Sequence, residues 1–322
     1  MPVWPASPNS QLQQVGLAGL CSIGRPAGKA QSAPLRAADK RVWQHEGRPG
    51  EDTAASGSLA IGRRGLNSMA PRTETTDDAF LGGALRILQP KLGYRAGIDA
   101  LLLAASAGAQ GQVLDVGAGV GLVGLALARR LVEARVLLVE RDPGLAELAR
   151  SNIERNGLGE RVRVLEADIT RPLGELEMLQ ARAGTFDHVL ANPPYLTHGR
   201  NTLARDAGKG AALSMPHGDL DRWFRFMAAM AKAAGTLSLV HRADALDEIL
   251  AASAGRFGGL VIVPIYARPG APASRVLVHA SKGSRAPLTL QPGIVLHDHD
   301  GSFRPDIEAV LRAGAGLGVT AV

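Results

Sequence analysis

The run Val113-Leu114-Asp115-Val116-Gly117-Ala118-Gly119-Val120-Gly121-Leu122 constrains the fold more than any other stretch of this chain. A short apolar strand ends in three alternating glycines, and a helical period begins at once. Glycine accepts the positive φ of a tight turn and lets the backbone approach a ligand without a Cβ in the way. Strand-to-helix turns of this kind build open α/β sheets, which bind ligands at the carboxyl ends of their strands. The flanking segments agree. An amphipathic segment covers residues 80–88, and an apolar helix starts near Asp99. Strands at 112–116, 135–139, 162–165, 186–191 and 236–240 alternate with helices at 122–132, 143–156 and 219–233. A loop and a short helical stretch separate the third strand from the fourth. Helix 243–254 then precedes strands 260–267 and 275–280, which have no helix between them. The pattern predicts an α/β fold with a doubly wound, mostly parallel seven-stranded sheet, Rossmann-like, with an antiparallel C-terminal hairpin and a strand-helix extension.

Residues 1–70 carry neither period. They mix proline, glycine, serine and scattered charge, and read as a disordered tail ahead of a folded domain at 71–322, with Met69 as a candidate start. The tail also explains much of the net charge of +6. It holds 8 Lys/Arg against 4 Asp/Glu, whereas the remaining residues hold 28 against 26. Charge alone therefore does not demonstrate a nucleic-acid face. The single cysteine, Cys21, excludes an internal disulfide and a thiolate metal centre. No run approaches the roughly 18 apolar residues of a membrane span. These features imply a cytoplasmic enzyme with no membrane partner.

Gly117, Gly119 and Gly121 form the candidate cofactor turn. Gly119-x-Gly121-x-x-Gly124 also satisfies a dinucleotide fingerprint, so an NAD-dependent oxidoreductase is the alternative from another class. The glycine closest to the strand is Gly117, however, and Asp115 stands two residues before it. A carboxylate there is unfavourable beside a pyrophosphate and favourable beside an ammonium. S-adenosylmethionine has no phosphate and carries an amino-acid ammonium. Glu140, ending the next strand, can accept both ribose hydroxyls. Asp168 follows the third strand and can accept from an adenine amine, with Ile169 packing on the ring.

The fourth strand runs into Asn192-Pro193-Pro194-Tyr195. Two prolines restrict the backbone and remove two N–H donors. Asn192 Oδ1 and the Pro193 carbonyl are then two acceptors suited to the two N–H groups of an exocyclic or amide nitrogen. Bonding both aims the nitrogen lone pair and stabilises positive charge developing there. Tyr195 can stack on a planar group, a role for its ring face that leaves the hydroxyl dispensable. Asn192, Pro193 and Tyr195 are the candidate catalytic residues.

From Asp115 to Tyr195 this ordered set resembles class I methyltransferases acting on amino groups. The flanks narrow the resemblance. Gln89-Pro90-Lys91-x-Gly93-Tyr94-Arg95-x-Gly97-x-Asp99, Leu239-Val240-His241-Arg242-Ala243-Asp244, Ala273-x-Arg275-Val276-Leu277-Val278 and Leu296-His297…Phe303 are similar to bacterial tRNA adenine methyltransferases that modify the purine beside the anticodon of a valine tRNA. The resemblance covers about residues 80–315. It implies S-adenosylmethionine as cofactor, tRNA as partner and transfer to an exocyclic adenine nitrogen. Methylation of a glutamine amide in a release factor uses the same tetrapeptide and is the alternative. That family carries a helical domain before its cofactor domain, and residues 1–70 show no such period. Two departures stand out. Ile98 replaces an expected hydroxyl residue, and Lys232-Ala233-Ala234-Gly235 lacks the usual Pro-Gly.

Other features read as structure. His297-x-His299 with Asp298 and Asp300 is a turn rather than a metal site. Leu220, Trp223, Phe224, Met227 and Met230 follow helical spacing and belong to the core. Arg268, Arg275, Lys282 and Arg285 form a solvated face, with RNA phosphate contact as the alternative. Loop 197–217, with Arg200, Arg205, Lys209 and His217, is long enough to cover a substrate.

Overall fold

The computed structural model describes residues 74–319, apart from 94, 109–110, 172–182, 198–213 and 216–218. The tail at 1–70, most of the basic loop at 197–217 and the bulk of the stretch between the third and fourth expected strands lie outside the described residues. No helix among the described residues is long and apolar enough to cross a membrane.

The expected seven strands pair into one sheet. β3 (Gln112–Val116), β4 (Arg135–Glu140), β5 (Val162–Glu166), β6 (Phe186–Ala191) and β9 (Ala231–Arg242) run parallel in the spatial order β5-β4-β3-β6-β9. β11 (Ala273–Lys282) pairs antiparallel with β9, and β10 (Phe257–Tyr266) pairs antiparallel with β11. Two-residue strands β12 (Thr289–Leu290) and β13 (Ile294–Val295) add to β10. The chain winds outward from β3 through β4 to β5, then returns to β6 on the other side of β3. That reversal opens a crevice at the carboxyl ends of β3 and β6, where ligands bind in sheets of this kind.

Helices cover both faces. α1 (Ile98–Ser106), α2 (Leu122–Arg130), α3 (Pro143–Arg155) and α6 (Pro305–Ala313) pack on one face, and α4 (Asp219–Met230) with α5 (Leu246–Ser253) on the other. Leu220, Trp223, Phe224, Met227 and Met230 of α4 are all buried in the second core, as their spacing predicts. α3 starts cleanly because Asp142 accepts from the N–H groups of Gly144 and Leu145, with Pro143 in the first turn.

The segment at 80–88 is a correction. It is not one amphipathic element but part of a hairpin, β1 (Thr75–Phe80) and β2 (Leu85–Pro90), turning at Leu81-Gly82-Gly83. Gly82 adopts φ 64°, and a Cβ there would sit 2.7 Å from the Arg312 carbonyl oxygen. The free edge of β2 is then closed by a helix. Asn152 accepts from Leu88 N and donates to Leu88 O, and Asn156 does the same for Arg86. Asn152 also donates to Val120 O and so ties the hairpin to the glycine turn. Side-chain amides here replace the neighbouring strand that an edge lacks.

Candidate active site

The glycine turn is as permissive as its sequence requires. Gly117, Gly119 and Gly121 adopt φ of 64°, 57° and 88°. Gly117 is also a close approach, since a Cβ there would fall 2.3 Å from Trp223 Cη2. Two acids at the strand ends brace this turn from below. Asp115 accepts from Gly124 N–H at 2.9 Å, capping α2 in place of Gly121, which has no side chain to do so. Glu140 Oε2 accepts from Gly119 N–H at 2.8 Å, and its Oε1 accepts from Arg141 and Asp142 N–H. The sequence pattern points these acids at a ligand; the structure gives both of them backbone partners as well.

Asp115 is 1 % exposed, and burial raises its carboxyl to about 7, opposed by the Gly124 N–H and increased by the nearby negative Glu140. The hydrogen bonds of both carboxylates come from backbone N–H groups rather than from lysine or arginine. Such a floor fits a cationic ligand and opposes a diphosphate. Asp168, at the end of the third parallel strand, accepts at Oδ1 from both the N–H and hydroxyl of Thr170. Burial raises this carboxyl, but the Thr170 bonds and the charges of Arg141 and Arg171 outweigh it and hold it below its ordinary value. Ile169 is partly buried against the second core.

Across the crevice, Asn192-Pro193-Pro194-Tyr195 follows β6, with Pro193 buried and Asn192 and Tyr195 half-buried. The next residues, β7 (Leu196–Thr197), pair parallel with β8 (Ser214–Met215), so the two ends of the basic loop are joined. The Tyr195 hydroxyl, expected from the stacking role to be dispensable, is engaged on both sides. It lies 2.5 Å from Asn192 Oδ1 and 3.1 Å from Asp99 Oδ2, at the start of α1. Arg275, on β11, donates through Nε to the same Asp99 oxygen at 3.0 Å and sets its guanidinium 4.7 Å from the Tyr195 ring centroid. Arg275 is therefore part of the site, and the solvated-face reading holds only for its exposed neighbours Arg268 and Arg285. Lys282 instead donates to Ala231 O.

β9 supplies two more residues. His241 meets the Tyr195 ring edge-on at 5.2 Å, and Arg242 donates to the Tyr195 carbonyl at 3.3 Å while pairing with Asp244. His241 is 5 % exposed, its Nδ1 has no hydrogen-bond partner among the described residues, and burial pushes the imidazole down to about 4. A neutral ring therefore stands beside the tyrosine at neutral pH. Asp99, His241, Arg242 and Arg275 are candidate site residues that strand and helix periods do not disclose. The signal for them lay in Gly97-x-Asp99, His241-Arg242-Ala243-Asp244 and Ala273-x-Arg275, the flanking motifs of the resemblance, which the fold gathers around Tyr195.

His297, which follows the edge strand β13, stacks on Phe303 at 4.4 Å, and Asp300 accepts from Ser302. This segment is a turn.

Comparisons with known proteins agree with this geometry. The Methyltransferase small domain family matches residues 96–209. The tRNA1(Val) (adenine(37)-N6)-methyltransferase of Aeromonas hydrophila is 32% identical over 215 residues, which are 65% of this chain and 85% of that one. The chain belongs to the tRNA1(Val) (adenine(37)-N6)-methyltransferase family. It is an N-methyltransferase of class I architecture, and the nicotinamide alternative is set aside. A release factor glutamine methyltransferase of Geobacter sulfurreducens is 40% identical, but over 84 residues, 26% of each chain. The solved structure of a protein described as a predicted O-methyltransferase from Agrobacterium tumefaciens superposes with TM-score 0.58 at 35% identity, covering 68% of this chain and 98% of that one.

Proposed function

We propose that this enzyme methylates the exocyclic nitrogen of an adenine in tRNA, using S-adenosylmethionine, and that the target is the adenine beside the anticodon of a valine tRNA. The observation that carries the reading is the tetrapeptide Asn192–Tyr195 at the switch crevice, following the strand that pairs with the one leading into the glycine turn, and flanked by Arg242 and Arg275. The cofactor supplies an electrophilic methyl group on a sulfonium, a good leaving group that needs alignment more than a strong base. Gly117, Gly119 and Gly121 supply the left-handed turn against which it lies. Asp115 puts negative charge near its ammonium, Glu140 Oε2 has a second lone pair to accept from the ribose, and Asp168 with Ile169 receives the adenine ring. Asn192 Oδ1 and the Pro193 carbonyl accept the two amine hydrogens of the target base. Tyr195 stacks on that base, which is splayed from a loop. Such a substrate implies a cytoplasmic enzyme.

The test is transfer of labelled methyl from S-adenosylmethionine to an unmodified valine tRNA transcript. A transcript with guanine in place of the target adenine and a purified release factor serve as comparisons. Transfer only to the adenine-bearing transcript is expected. Transfer to the release factor alone would overturn the RNA reading in favour of the glutamine amide, and transfer to neither would overturn both.

A further inference from the structure

We propose that Asp99 and Arg275 are positioning residues that fix which way the Asn192 amide faces, acting through the Tyr195 hydroxyl. The inference turns on a count of hydrogens. A phenol has one hydrogen to give. Among the described residues two oxygens stand within its reach, Asn192 Oδ1 at 2.5 Å and Asp99 Oδ2 at 3.1 Å. If the amide carbonyl takes that hydrogen, the Asp99 oxygen faces the lone pairs of the phenol at 3.1 Å with nothing between them. The carbonyl required for the substrate amine is then already engaged.

A half-turn of the amide exchanges its oxygen and nitrogen between the same two positions, and only the surrounding network decides between them. With Asn192 Nδ2 toward Tyr195, every group has a partner of the right kind. Nδ2–H donates to the phenolic oxygen, the phenol donates to Asp99, and Arg275 Nε–H donates to that same carboxylate oxygen. The phenol's bond to a carboxylate is charge-assisted and stronger than one to a neutral amide. Arg275 has only donors, so it sets the direction of the whole chain. Its guanidinium also lies over the tyrosine ring and holds that ring in place. Asn192 Oδ1 is thereby turned away from Tyr195, free to accept. The four residues come from α1, the turn after β6 and β11, so the orientation of one amide is held by three separate parts of the fold.

That the outward oxygen accepts from an adenine amine rests on the proposed function; the orientation itself does not. Two measurements on the full chain keep these apart. Side-chain amide exchange of 15N-labelled protein, with the Asn192 signal identified by its loss in Asn192→Asp, reads the orientation without substrate. Protection of one Asn192 amide hydrogen is expected, and its loss in both Tyr195→Phe and Asp99→Ala. Protection unchanged in Tyr195→Phe, or absent in the wild type, would overturn the orientation. Single-turnover methyl transfer then reads its consequence. Tyr195→Phe and Asp99→Ala should each slow transfer about tenfold, the scale of one hydrogen bond, with cofactor affinity unchanged. The double variant should be no slower than the slower single variant, because both break one chain. Asp99→Asn keeps an acceptor for the phenol and should recover most of the rate, which separates positioning from a folding defect. Multiplying losses in the double variant would overturn the relay. A wild type with protected amide but no transfer to adenine would sink the proposed function while the orientation stood.

Discussion

The two walls of the crevice are built differently. The wall proposed for the cofactor is local: residues 113–124 and 140 brace one another through backbone N–H groups, with glycine wherever φ is positive. The wall proposed for the substrate is assembled from Asp99, Asn192, Tyr195, His241 and Arg275, which are scattered over more than half of the described sequence and joined by side chains. A wall held by backbone should fail by losing structure and cofactor together. A wall held by side chains should fail in chemistry first, with the fold intact.

The largest expected effect tests the second half of that contrast. Asn192→Ala should lower single-turnover transfer by about 10²–10³-fold, the scale for one preorganised group that acts at the transition state. Cofactor affinity and melting temperature should stay near wild type. A fall in either would mean that the substrate wall is structural after all.

Gly117→Ala tests the first half. The added methyl meets Trp223 at 2.3 Å and occupies a left-handed backbone position. Overpacking of this kind costs about 1–3 kcal/mol, readable in urea unfolding, and cofactor binding should weaken with it. Truncating Trp223 to Leu should recover part of the loss in a double-mutant cycle. Independent, additive losses would show that the indole is not what the glycine accommodates.

This contrast also explains what could be read in the sequence. The glycine turn, the acids ending strands and the helix spacing of α4 are short-range patterns, so the sheet and the left-handed glycine turn were legible in them. The internal duties of Asp115 and Glu140 were hidden, because a sequence does not show that a carboxylate caps a helix from a neighbouring strand. The Asp99–Tyr195–Arg275 contacts span up to 176 positions, and no local period encodes such a meeting. The strand character of 85–90 is not legible in its amphipathic pattern, because Leu85, Ile87 and Gln89 alternate inward over a stretch too short to separate a strand from a helix.

Asp115 supplies a smaller effect. Its carboxyl titrates at about 7 in the free protein, so an ammonium binds best to the ionised form above that pH. Affinity for S-adenosylmethionine should therefore fall about tenfold from pH 8 to pH 6, as one proton must be released on binding. The sign for folding is the opposite. A raised pKa contributes stability that is fully present below the ordinary value of 3.8 and is lost as pH rises through about 7. Calorimetry in buffers of different ionisation heat reads the proton release, and Asp115→Asn should abolish it. A flat pH profile in the wild type would break the link between this acid and the cofactor.

The smallest effect lies where the two walls differ in how well sequence suits backbone. Each left-handed position of the glycine turn is a glycine, but the entry to β9, which carries His241 and Arg242, puts Ala234 at φ 57°. This is the stretch Lys232-Ala233-Ala234-Gly235, which has no Pro-Gly. A left-handed L-residue costs about 1–2 kcal/mol, part of which glycine returns as added freedom in the unfolded chain. Ala234 is exposed, so removing its methyl group forfeits no packing. Gly235 cannot take over the relief, since a Cβ there would already sit 3.0 Å from the Lys232 backbone. Ala234→Gly should thus stabilise the protein by about 0.5 kcal/mol in urea unfolding, with turnover unchanged because the residue lies outside the catalytic network. A loss of stability would mean that the strained turn is not limiting. A gain in stability with altered turnover would show instead that the entry to β9 sets the position of His241, tying the substrate wall to backbone as closely as the cofactor wall.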